Sequence, residues 1–220
     1  FETNGNLLNA LYRIGFPNKE KDEYYTLLGI RYAQYFRTDL SFVKNFWLGQ
    51  KSALVYRFFG GFGYAYGNSA ALPFERLFYC GGSNSMRGWV ARTLGPGNAV
   101  VEDTPYPVQM GDMRLEANLE FRFPIWGMFH GATFLDLGNV WYLGMDKTQL
   151  PAESIFHFNR FYKQLGFNTG FGLRLDIKFV ILRLDWGIQL HNPNNPAGER
   201  WIHNFRWKNT ALNFGVGYPF

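Results

Sequence analysis

Apolar and polar residues alternate along much of this chain, most cleanly over residues 114–123. There Leu115, Ala117, Leu119, Phe121 and Phe123 interleave with Arg114, Glu116, Asn118, Glu120 and Arg122. Side chains in a strand point alternately to opposite faces, so period two predicts a strand with one apolar and one charged face. The same pattern predicts strands at 3–11, 24–42, 53–66, 129–141, 169–178, 180–190 and 210–220, about eight in all. Gln34 interrupts the apolar face of the second. Pro124 to Gly127 reads as a tight turn, and Pro17 to Glu23 as a polar one. No helical period competes with these assignments, and no internal repeat is found beyond the hairpins.

Alternation alone does not say which face is the core. A soluble sandwich buries its apolar faces, whereas a membrane barrel turns them to lipid and lines its lumen with the polar ones. The connections decide between them: medium, short, very long, short, long, very short, long. Sorting into short turns and long loops is what a barrel with two unlike rims produces. The predicted fold is therefore an all-β transmembrane antiparallel barrel. An eight-stranded barrel is filled by its own side chains and has no room for the long segment at about 68–111. A free strand edge is not viable in lipid. Either that loop projects outward, or the chain supplies half of a wider barrel, as one domain over residues 1–220 with a lumen-directed loop; the free edge suits the second reading.

Composition agrees. Aromatics make up 20% of the residues and there are 25 glycines, a mixture suited to strands, turns and interfacial belts. Trp141, Trp186 and Tyr218 are candidate belt residues. Mean hydropathy is only −0.21 although 47% of residues are hydrophobic, as two-faced strands require. No run approaches the ~18 apolar residues of a membrane-spanning helix, which leaves barrels open. The net charge of +5 is dispersed and gives no patch for nucleic acid. Cys80 is the single cysteine, so no intrachain disulfide can form. With neither initiator Met nor signal peptide at Phe1, a processed or truncated piece is expected.

The long loop carries CGGSNSMRGW, residues 80–89, in which Arg87 sits among Gly81, Gly82 and Gly88 and is followed by Trp89. A guanidinium is a planar, permanently charged fork suited to bidentate pairing with carboxylates. Two candidates follow, Glu120 and Asp136, on neighbouring predicted strands. Asp136 shares its face with Phe134 and Gly138 in FLDLGN. Periodicity leaves two readings open: Arg87 folds back onto these acids, or it is a solvated loop arginine and Asp136 a screened lumen carboxylate.

Here the sequence resembles a family. CGGSNSMRGW is similar to the arginine motif in the sixth extracellular loop of the BamA/TamA superfamily of outer-membrane assembly factors. FLDLGN resembles that family's partner motif on the barrel wall, and LNFGVGYPF its closing strand. The flanking LPFERLFYCGGSNSMRGWVARTLGPG and GDMRLEANLEFRFP most resemble the TamA-like lipoprotein branch of Bacteroidetes. The resemblance covers nearly the whole chain and implies the last eight strands of a sixteen-stranded barrel of the bacterial surface antigen type. It implies a loop lock of Met86, Arg87, Gly88 and Trp89 with wall partners Glu120, Phe134, Asp136 and Gly138. Met86 and Trp89 depart from the commoner residues of the motif but keep its apolar character. The closing strand and seam would comprise Phe214, Gly215, Gly217, Tyr218 and Phe220; the terminal aromatic resembles an assembly signal, and the glycines weaken the edge.

The implied role is non-enzymatic: assisting insertion of proteins, or transfer of envelope components, at the bacterial outer membrane through a weak seam. Implied partners are outer-membrane lipids, the N-terminal half of the barrel, periplasmic POTRA domains, and nascent outer-membrane proteins or a periplasm-spanning TamB-like protein. Alternatives are the central BamA-type insertase, a two-partner secretion pore and, in another class, a small outer-membrane barrel enzyme. Chemistry is hard to find in the residues themselves. The histidines at 130, 157, 191 and 203 lack metal-ligand spacing, and no cofactor or metal is expected. Gly60 to Gly63 lacks the Lys-Ser/Thr of a phosphate loop, and Ser83 and Ser85 have no identifiable base.

Overall fold

The structure is a computed structural model that describes residues 1–15, 24–49, 51–100, 108–144, 150–202 and 205–220. The turn expected at 17–23 lies outside these. In chain order the regular elements are β1 (Glu2–Asn4), α1 (Asn6–Gly15), β2 (Thr26–Leu27), β3 (Ile30–Arg31), β4 (Tyr35–Trp47), β5 (Ala53–Ala65), β6 (Met113–Trp126), β7 (Phe129–Trp141), β8 (Gly166–Asp176), β9 (Ile181–His191) and β10 (Thr210–Val216), with short 3₁₀ turns between.

An eight-stranded antiparallel sheet runs in the order β1-β4-β5-β6-β7-β8-β9-β10, and β1 does not pair with β10. The barrel is therefore partial and open. The strand ends sort by rim: those joining β4 to β5, β6 to β7 and β8 to β9 by short connections lie on one side, and those joining β1 to β4, β5 to β6, β7 to β8 and β9 to β10 by long ones lie on the other.

The faces carry opposite chemistry. Phe171, Leu184, Leu212 and Phe214 are 62%, 43%, 68% and 66% exposed, whereas Arg174, Arg183 and Asp185 are buried. A water-soluble sheet would bury the first set and expose the second. This outward apolar face is the one a membrane barrel shows to lipid. The apolar core lies on the inner face instead, where Phe78, Cys80, Met86, Trp89 and Leu94 of the long loop pack against Val140 and Phe59 of the wall.

Several boundaries differ from the sequence reading. Residues 6–15 form a helix, not the continuation of a strand. Leu7, Leu11 and Ile14 recur at the spacing of one helical face, Ala and Leu favour the helix, and Gly5 at φ 75° ends β1. The stretch 24–42 is not one strand. Leu28 and Gly29 have φ of 52° and 78°, the positive pair that reverses a two-residue hairpin between β2 and β3. Gln34 breaks the apolar face because it is a buried tie: its Nε2 donates to Asn6 (3.1 Å) and its Oε1 accepts from the Asn68 amide (3.0 Å). Pro124, Ile125 and Trp126 belong to β6, which ends in a register shift, so the turn is Gly127–Met128. Strand β10 stops at Val216.

Candidate functional site

The site begins with register. Across β6 and β7, Asn118 stands opposite Asp136 and Glu120 opposite Phe134. Across β7 and β8, Asp136 faces Asn168, which in turn faces Gln189 on β9. Directly opposed residues share a face. A row of polar side chains therefore crosses the inner wall, with Glu120 diagonal to Asp136.

The loop tip is folded tightly enough to meet that row. Gly82 N–H donates to the Trp89 carbonyl (2.8 Å) and Trp89 N–H to that of Met86 (3.1 Å). Gly81 has φ 99°, and a Cβ on it would lie 2.2 Å from the Val90 carbonyl oxygen, so only glycine fits there. Met86 and Trp89 enter the inner apolar core, which leaves Arg87 between them aimed at the wall. Cys80 packs in the same core; burial pushes its thiol pKa up to about 12, so it is a neutral packing group there.

Arg87, Glu120 and Asp136 are each 0% exposed. Arg87 Nε and Nη2 donate to the two oxygens of Asp136 at 3.0 and 2.8 Å, the bidentate geometry that a guanidinium supplies. Its backbone N–H donates to Asp136 as well (3.1 Å), and Nη1 pairs with Glu120. The guanidinium lies 3.5 Å from the centre of the Phe134 ring. Asn118 and Asn168 each donate to Asp136 at 3.0 Å. Glu120 also meets Arg122 (2.7 Å) and Arg174 (3.3 Å), and Asp185 meets Arg174 and, at 3.5 Å, Arg183. Buried charge is tolerated when it is paired and hydrogen-bonded, and Arg87, Glu120 and Asp136 are each paired with opposite charge here.

Glycines clear the ground beneath the tip. A Cβ on Gly88 would lie 2.6 Å from Asn168 Cβ, and one on Gly187 would lie 2.2 Å from the Arg87 carbonyl oxygen. Gly138 admits the β6 backbone: a Cβ there would sit 2.7 Å from the Leu115 carbonyl oxygen. The Gly88 carbonyl accepts from Gln189 (2.9 Å) and the Arg87 carbonyl from Asn213 (2.8 Å). The Arg87–Gly88 dipeptide thus touches every strand from β6 to β10. The arrangement holds a loop in place; its acids are occupied by arginines and amides.

The structure thus brings Met86, Arg87, Gly88, Trp89, Glu120, Phe134, Asp136 and Gly138 together. It divides the closing-strand set. Phe214 faces outward and Gly215 lies under Arg183, whose Nη2 would be 2.4 Å from a Cβ there. Tyr218 and Phe220 do not continue the outer face, because Gly217 at φ 79° turns the tail inward. Tyr218 lies 4.1 Å from the Arg122 guanidinium, and the Phe220 ring is within 6 Å of Arg57, Arg87 and Arg122. Tyr218 is therefore not a belt residue. Neither is Trp141, which is buried and donates to Gln164 (2.8 Å). Trp186 faces outward in a stack with Trp207.

Asn118, Asn168, Arg174, Asp185, Gly187 and Asn213 escaped the sequence reading as site residues. All lie on polar faces by period two, but only strand register shows that they converge.

The family model described as the Omp85 superfamily domain matches residues 13–220. No curated protein matches the chain in sequence. Among solved structures it is similar to BamA from Haemophilus ducreyi lacking POTRA domains 1-3, at 18% identity and a TM-score of 0.57, over 83% of this chain and 34% of that one. It is also similar to CdiB from Acinetobacter baumannii, at 18% identity and a TM-score of 0.48, over 84% of this chain and 27% of that one. The chain spans about a third of the first structure's length and about a quarter of the second's.

Proposed function

The chain belongs to the Omp85 superfamily of outer-membrane β-barrels, and from that premise we propose that it forms the C-terminal half of a TamA-like assembly factor. The proposed activity is insertion of proteins, or transfer of envelope components, into the outer membrane. It would proceed through a weak seam at β10 and local perturbation of the bilayer, without enzymatic chemistry. Its proposed partners are the N-terminal half of the barrel, POTRA domains, and nascent outer-membrane proteins or a TamB-like protein.

The observation that carries this reading is the Arg87 lock: a loop arginine held by Glu120 and Asp136 on adjacent strands of a lipid-facing sheet. Such a lock fixes the lumen and keeps the loop from drifting, so the sheet can yield at its edge without collapsing. A strand edge with one neighbour offers unpaired backbone groups to an incoming strand.

The test uses the full-length protein in proteoliposomes. It should speed the folding of a urea-unfolded outer-membrane barrel into the bilayer, and Arg87→Ala should lose most of that acceleration. Equal folding rates with and without the wild-type protein would overturn the proposal. The number of POTRA domains in the full chain separates the TamA-like reading from the BamA-type one.

A further inference from the structure

We infer that Asn213 is the residue through which the loop lock holds the closing strand, so that lock and seam open together. The inference rests on the proposal that β10 forms the working seam, and deepens it.

Strand β10 is the last in the sheet order, and β9 is its one strand neighbour among the described residues. Among the described residues it is fastened further by its tail, where Arg122 Nη2 donates to the Phe220 carbonyl (3.2 Å), and by the strand's own side chains on the inner face. By period two that face of β10 offers Ala211, Asn213 and Gly215. Alanine has no polar group to offer and glycine has no side chain, which leaves the Asn213 amide. Its Nδ2 donates to the Arg87 carbonyl at 2.8 Å.

The acceptor is unusually well placed. The Arg87 N–H and guanidinium are both held by Asp136. The Arg87 carbonyl oxygen rests against β9 at Gly187, where a Cβ would come within 2.2 Å. A carbonyl fixed on both sides is preorganised, so Asn213 alone loses freedom when the bond forms. Through Arg87 the bond ties β10 to acids on β6 and β7, bypassing the ladders of β8 and β9.

Residue type follows from these surroundings. Asn213 stands opposite Asp185 in register. An aspartate at 213 would set two carboxylates face to face and turn an acceptor toward the Arg87 carbonyl, so the position calls for a neutral donor. When Arg87 leaves Asp136, its carbonyl moves and β10 loses this tie. When β10 peels away, the loop loses a hydrogen bond near its tip.

The test is native-state hydrogen exchange by mass spectrometry on the full-length protein in lipid nanodiscs. Asn213→Ala should speed exchange in peptides covering 210–216 about two- to tenfold, the effect of one lost hydrogen bond, and leave 113–141 unchanged. Arg87→Ala should speed the same 210–216 peptides, and adding Asn213→Ala to it should add nothing there. Asn213→Asp should exceed Asn213→Ala. If Asn213→Ala does not assemble, Asn213→Ser, a shorter donor, gives the same reading with a smaller increase. Unchanged exchange at 210–216, or effects of the two sites that simply multiply, would overturn the inference. Exchange needs no client protein, so a coupled β10 in a protein that inserts nothing would overturn the proposed function alone.

Discussion

At the scale of single residues, Arg87 carries the largest energetic consequence. Removing it leaves Asp136, 0% exposed, with amides but no arginine, while Glu120 keeps Arg122 and Arg174; breaking a buried pair costs about 3–5 kcal/mol because a charge is left without its partner. Arg87→Ala should therefore lower the temperature at which the folded barrel loses its heat-modifiable gel mobility, and Asp136→Ala should do the same. Because each residue is the other's main partner, the double variant should lose much less than the two single losses combined. Strict additivity would show that the two are not coupled. Arg87→Lys should rescue little, since one ammonium cannot span both Asp136 oxygens and still reach Glu120.

At the scale of elements, the glycines of the inner wall are the bed on which the loop lies. Gly187→Ala places a methyl group where the Arg87 carbonyl oxygen sits, and β9 backbone cannot yield without breaking its ladder. The loop must lift, so this variant should reproduce the Arg87→Ala loss of thermal resistance although it removes no charge. Limited proteolysis within 80–97 should report the lift directly; an unchanged cleavage rate would mean that the loop tolerates the methyl group. The same elements show what the sequence could disclose. Strand β6 was plain because a charge or amide stands at every second position. Arg87, Glu120 and Asp136 were legible as partners because two acids lie on successive polar faces, and the family resemblance singled them out. Asn213, Asn168 and Gly187 were not, because polar residues on a strand look alike until register shows which lie beneath the loop. Helix α1 was hidden because it is short and follows β1 directly, so its leucines passed for one face of a longer strand. The inward tail was hidden because Tyr218 and Phe220 keep perfect alternation while one positive φ at Gly217 redirects them.

At the scale of the molecule, the inverted faces place the chain in lipid and make charge on the outer face costly. Leu119 lies midway along β6 and faces outward. Leu119→Arg should destabilise the barrel in bilayers by about 2–4 kcal/mol, the cost of a charge near the midplane. A matched change at Tyr64, near the long-loop rim, should cost far less; equal costs would argue against a lipid-facing surface. Gly138, Gly166, Gly170, Gly172, Gly187 and Gly215 leave the inner wall without side chains where the loop and its neighbours pack. These positions carry no side chain to fill the space once the loop is gone. Excising residues 81–96 from the full-length protein should therefore open a path for ions, seen as stepwise current in a planar bilayer where the intact protein stays quiet, so the loop is also the seal that lets a barrel this sparse sit in a membrane without draining it.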